Sequence, residues 1–149
     1  MGAQKLIVLD TNVIVSGLLA GKKPTIPSII LALTANDLLT PCYDERMMAE
    51  YCGVTARPHL RINQKTAGTF LRHVQDYGLR VDPLPLANEL PDPDDLAFYE
   101  VARFCFCPLI TGNKKHFPDE PLVLSPAQFY HSLRETSDES AGQASSGIC

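Results

Sequence analysis

No stretch of this chain stays apolar for the ~20 residues that a membrane-spanning helix needs, so no membrane span is expected. Between Met1 and Leu9 there is no basic segment, long apolar run and small-residue cleavage site in that order. A secretory leader is therefore not expected, and a cytoplasmic location follows. Cysteine supplies no framework. Cys42, Cys52, Cys105, Cys107 and Cys149 make an odd count of five, which fits reduced thiols. Cys105-Phe106-Cys107 is not a CxxC pair, and no second cysteine pair or close histidine pair answers it. That argues against a zinc site and makes Cys105 a small core residue. Glycine-rich phosphate loops of the P-loop or dinucleotide type are missing. Positive charge is not in excess either. The net charge of -4 argues against a broad basic surface for nucleic acid. It leaves open a carboxylate pocket whose local charge is reversed by bound cations. There is no internal repeat and no linker.

What is present suits one ordinary globular domain. The chain has 149 residues, 45% of them hydrophobic and 20% charged, enough to bury a core without disulfide or metal staples. Lys5-Leu6-Ile7-Val8-Leu9-Asp10 is a continuous apolar run ending in an acid, the pattern of a strand buried on both faces. Thr11 and Asn12 can cap a helix over Val13 to Leu19. A second helix reads from Pro27 to Ala35, a short strand from Asp37 to Pro41, and helices from Asp44 to Thr55 and from Asn63 to Asp76, the latter ended by Gly78. Leu79 to Val81 forms a short strand before a proline-rich loop. Pro93 to Cys105 is an apolar helix. Leu109 to Thr111 and Leu122 to Leu124 are strands, and Pro126 to Leu133 is a last helix. The domain is expected over residues 1–134. The polar, small-residue segment of residues 135–149 is expected to be disordered. Strands alternating with helices predict an α/β fold, a mostly parallel sheet with helices on both faces. Its site should lie outside the carboxyl ends of the strands.

Four pieces carry candidate chemistry. Asp10 ends a central strand, where it serves either as a ligand or as a helix cap. Glu50 falls inside the apolar stripe of Met47, Tyr51 and Val54, so it needs a partner. A metal ion is one, and an exposed pair with Arg46 is the other. In Asp92-Pro93-Asp94-Asp95, helix capping accounts for Asp92 or Asp94. Capping accounts less well for Asp95, which shares the inward side with Phe98, Tyr99 and Ala102. Thr111-Gly112-Asn113 follows a strand and lies on the same edge as Asp10. It supplies hydrogen bonds to that site or simply forms a turn. Lys114 and Lys115, beside His116, are candidates for phosphate contact or lie on a solvated face. Carboxylates gathered at one sheet edge repel one another unless a cation is present. Hard oxygen donors select Mg²⁺ or Mn²⁺.

In this order the motifs resemble the PIN domain family, and within it the prokaryotic toxin branch of VapC-like ribonucleases from type II toxin–antitoxin systems. The matching pieces are Leu9 to Leu19, Ala49-Glu50-Tyr51 with Arg57-Pro58, Asp92 to Asp95, Leu109 to Phe117 and Leu124 to Phe129. The resemblance implies a three-layer sandwich and endoribonuclease activity leaving a 5′-phosphate and a 3′-hydroxyl. Asp10, Glu50 and Asp95 would be the catalytic, metal-binding acids. Asp92 would be an auxiliary acid, and Asn12, Thr111 and Asn113 would support the site. An RNA substrate, a cognate antitoxin and a homodimer are implied as partners. Asn113 stands where many relatives have a fourth acid, and His116 where related toxins often have Asp. The competing expectations are a catalytically inactive scaffold that binds protein partners, and a different α/β enzyme such as a phosphatase.

Overall fold

The computed structural model describes the backbone of residues 5–147 and the side chains of residues 5–136. Five parallel strands form its sheet in the order β3-β2-β1-β4-β5. They are β1 (Lys5–Leu9), β2 (Leu39–Tyr43), β3 (Leu79–Arg80), β4 (Leu109–Ile110) and β5 (Val123–Leu124). Ile7, Val8 and Leu9 of β1 are fully buried, as a strand with neighbours on both edges and helices on its faces requires. β1 aligns Ile7 with Pro41 on one side and Leu9 with Ile110 on the other.

The helices are α1 (Thr11–Leu18), α2 (Ile26–Ala35), α3 (Glu45–Thr55), α4 (Gln64–Tyr77), α5 (Leu96–Cys105) and α6 (Pro126–Gly147). α5 packs on β1, β2 and β4, α2 on β2, and α6 on α2 and β5, while α3 joins α1, α4 and α5. The expected α/β architecture with a parallel sheet is therefore the observed one. No helix among the described residues is long and apolar enough to cross a membrane.

Several boundaries differ from those read off the sequence. Asp37 adopts a left-handed φ of 63°, which turns the chain and starts β2 two residues late. Pro41, expected to end that strand, lies within it. The segment expected as one helix from Pro93 opens instead as a 3₁₀ turn over Pro93–Asp95 before α5 begins. The helix expected to stop at Leu133 runs on to Gly147. Gly78 ends α4 as expected, but at a φ of -75°, so handedness is not the reason for glycine. A Cβ there would lie 2.4 Å from the Val74 carbonyl oxygen and 2.8 Å from that of Pro41.

Gly17 has the same role between α1 and α2, where an added Cβ would stand 2.5 Å from Leu31 Cδ1 and 3.1 Å from the Pro27 oxygen. Alanine is the better helix former, yet overpacking should win. Gly17→Ala is expected to lower stability by about 1–3 kcal/mol, read as a lower urea midpoint at unchanged slope.

Cys42 and Cys107 are buried and Cys105 half-buried. Burial pushes the Cys105 thiol up to about 12, which keeps it protonated and unreactive.

Candidate active site

The candidate acids gather around the carboxyl edge of the sheet, where β1, β2 and β4 end together. Asp10 leaves β1 with its backbone N–H donating to the Ile110 oxygen at 2.9 Å. Its carboxylate is buried, with the residue 5% exposed. Oδ1 accepts from the Thr11 backbone N–H at 2.8 Å. Oδ2 accepts from the Thr111 hydroxyl at 2.7 Å and from the Asn12 amide at 3.1 Å.

Asp10 is thus itself the N-cap of α1, which corrects the expectation that Thr11 or Asn12 would take that place. Both are engaged elsewhere. The Thr11 hydroxyl donates to Glu50 Oε2, and Asn12 Oδ1 accepts from the Gly112 N–H at 3.0 Å. Capping and site chemistry are not alternatives at Asp10, because one carboxylate oxygen serves the helix and the other faces β4.

Glu50 stands on α3, half-buried. Its neighbour Tyr51 is fully enclosed and donates its hydroxyl to the Leu9 carbonyl at 2.5 Å. That bond pins α3 to the end of β1 and brings Glu50 beside Thr11. The Arg46–Glu50 pair weighed from the sequence does not form. Arg46 reaches Asp44 at 2.6 Å and Glu100 at 2.8 Å instead.

Asp95 ends the 3₁₀ turn with 8% exposure, and its Oδ2 lies 3.2 Å from His116 Nδ1. Asp92 and Asp94 are exposed. Asp92 caps this turn, accepting from the Asp94 N–H at 3.0 Å, so the helix-start reading holds for Asp92 and the inward reading for Asp95. Thr111 is fully buried. Its hydroxyl also accepts from the Asn113 N–H at 2.9 Å, so Asn113 enters this network through its backbone. Lys114 and Lys115 are exposed on the 3₁₀ turn Lys114–His116, with Lys114 Nζ donating to Gln128 at 3.1 Å.

The acids sense one another. Burial, together with the charge of Asp95, pushes the Asp10 carboxyl from its ordinary 3.8 up to about 6, against the lowering effect of Thr111. Burial also raises Glu50, reinforced by Asp10, Asp94 and Asp92 and opposed by the Thr11 hydroxyl. Asp95 is raised by burial and by Asp92, with His116 opposing. Such a group of carboxylates, pushed toward protonation by one another, is relieved by a cation. Their all-oxygen donor set matches Mg²⁺ or Mn²⁺ in type. Among the described residues, however, no three Asp, Glu, His or Cys side chains close into a ready-made metal cage. Hydrogen-bond partners already engage both oxygens of Asp10 (the Thr11 N–H on one, Thr111 and Asn12 on the other) and one oxygen each of Glu50 and Asp95.

Three participants escaped the sequence reading. In the sequence Thr11 reads only as a capping residue, although a hydroxyl next to Asp10 is a usable signal. In the sequence His116 reads as a phosphate contact and a departure from the family pattern, with nothing to mark it as the partner of Asp95. Glu100, 3% exposed, accepts from the Leu86 N–H at 2.6 Å as well as from Arg46. An acid amid the apolar face of α5 was its only mark.

No curated protein and no solved structure matches the chain. The model of the PIN domain family does, over residues 6–115. That span starts in β1, ends in the turn after β4 and includes Asp10, Glu50 and Asp95. On that match the chain belongs to the PIN domain family, whose members are in general metal-dependent nucleases.

Proposed function

We propose that the protein is an endoribonuclease dependent on Mg²⁺ or Mn²⁺, cutting RNA phosphodiester bonds at Asp10, Glu50 and Asp95. The observation that carries this reading is the buried Asp10 carboxylate, raised to about 6 with Asp95 among the causes and held in place by Thr111 and Asn12. Asp10 and Asp95 would hold the ion, with Glu50 close by. When bound, such an ion stabilises charge on the phosphoryl oxygens and makes an attacking water more acidic.

The rest falls to the chain's own groups. Glu50, held by the Thr11 hydroxyl and made more basic by burial, is suited to orient the water and take its proton at a carboxylate oxygen. The water oxygen forms a bond to phosphorus as the bond to the 3′ oxygen breaks, and that oxygen takes a proton from solvent, leaving a 5′-phosphate and a 3′-hydroxyl. Asp92 adds negative charge at the rim. Lys114 and Lys115 supply positive charge for a flanking phosphate. The sequence resemblance extends the proposal to the toxin of a toxin–antitoxin pair, acting in the cytoplasm, with a cognate antitoxin and a homodimer as protein partners.

One observation favours a second reading, an inactive scaffold: the acids do not close into a ready-made cage. Incubating the protein with single-stranded RNA in EDTA, then titrating Mg²⁺ or Mn²⁺, separates the two. Cleavage that begins only with the ion and yields 5′-phosphate ends is the expected result. RNA left intact at every ion concentration would establish the scaffold. Cutting that persists in EDTA would remove the metal-dependent reading.

A further inference from the structure

Beside Glu50 lies a cleft of about 630 Å³ between α3 and the start of α5, within the ~300–1,000 Å³ typical of small-ligand sites. The acids account only for its edge. Its floor is apolar, formed by Ala49 and Val54 of α3 and by Leu96 and Ala97 of α5. Arg57 stands at its mouth, exposed and without an ion pair among the described residues. The other arginine of the lining, Arg46, is neutralised by Asp44 and Glu100. Gly53 faces this space from α3, and a Cβ added there would meet nothing within 4 Å.

We infer that this cleft is a nucleotide subsite, taking one unstacked base of a single-stranded RNA next to the phosphodiester at the acids, with Arg57 on the flanking phosphate. The inference rests on the nuclease reading for what lies beside the cleft. An apolar floor with one unpaired cation at the mouth suits a flat base joined to an anion. It suits a bare phosphate poorly, because the floor offers that no donor. Arg57 shares this cleft with Glu50, and Lys114 and Lys115 follow β4. A base inside a duplex remains stacked and cannot enter such a pocket, so duplex RNA should bind poorly.

Gly53→Leu fills the cleft from a helix position that touches nothing. In an Asp10→Asn background, which prevents cutting, it should weaken binding of a fluorescein-labelled single-stranded RNA by about tenfold or more. Gly53→Ala should leave that affinity within about twofold, and neither variant should lower Tm. Arg57→Glu, on the surface, should weaken binding comparably and reduce the slope of log affinity against log salt by about one. It decides the matter should Gly53→Leu fail to fold. Unchanged affinity in both variants, equal binding of a blunt duplex, or no binding of the single strand would overturn the subsite. If the wild type cuts RNA and Gly53→Leu cuts at the same rate and positions, the subsite falls and the nuclease reading stands. If nothing is cut but the affinity losses appear, the nuclease reading falls and the subsite stands.

Discussion

Asp10→Asn is expected to lower kcat/KM for RNA cleavage by about 10³-fold or more, with the circular dichroism spectrum of the wild type retained. The size follows from the several kcal/mol of charge stabilisation that a bound ion gives a phosphoryl transition state, at 1.36 kcal/mol per tenfold in rate. The fold should survive because the amide keeps one acceptor for Thr111 or the Thr11 N–H. Its NH₂ must then face a donor on the other side, which misorients the group the ion needs. Quantitative single-turnover assays with Mn²⁺ in excess would measure the effect. A loss below tenfold would remove Asp10 from the chemistry, and a collapsed spectrum would make it a folding residue.

The second large effect concerns pH without the ion. Asp10 has an ordinary value of 3.8 and about 6 in the folded protein, so the folded state prefers the protonated acid. Its stabilising contribution is complete below about pH 4 and is lost as pH rises through about 6. The shift of roughly two pH units corresponds to about 2–3 kcal/mol. In EDTA the wild type should therefore lose this amount relative to Asp10→Asn between pH 4 and pH 7, read from urea midpoints of both proteins. The comparison cancels groups that the two share, including the acids that drive ordinary acid unfolding. Mg²⁺ or Mn²⁺ at 100 times its Kd should return about 2.7 kcal/mol to the wild type near pH 7. Parallel curves for the two proteins would show that Asp10 is not under strain. No stabilisation by either ion would argue that the acids do not bind one.

The sequence made the strand before Asp10 and the parallel sheet legible because an unbroken apolar run has few other uses. Helical phase aligns Asp95 with the inward Phe98, Tyr99 and Ala102, but it puts Asp92 on the same face, so only capping preference sets Asp92 apart. The sequence could not say which group each acid would meet. The Thr11–Glu50 contact joins residues 39 apart and the Thr111–Asp10 contact residues 101 apart, and no local pattern encodes such pairs. Arg46 shows the same limit. Its helical spacing to Glu50 was right for a pair, but Asp44 and the buried Glu100 offered it better partners. The break at Asp95 between the 3₁₀ turn and α5 was equally hidden, because Asp-Pro-Asp-Asp starts either kind of helix.

Asp10-Thr11-Asn12 binds in turn to Thr111 just after β4, to Glu50 of α3 and to Gly112. The site is therefore not a set of acids that could be lifted out one by one. A designer who transplanted only the carboxylates onto another parallel sheet would obtain freely rotating side chains. The smallest transferable unit is this tripeptide together with the segments carrying Glu50 and Thr111, held in their present relative positions.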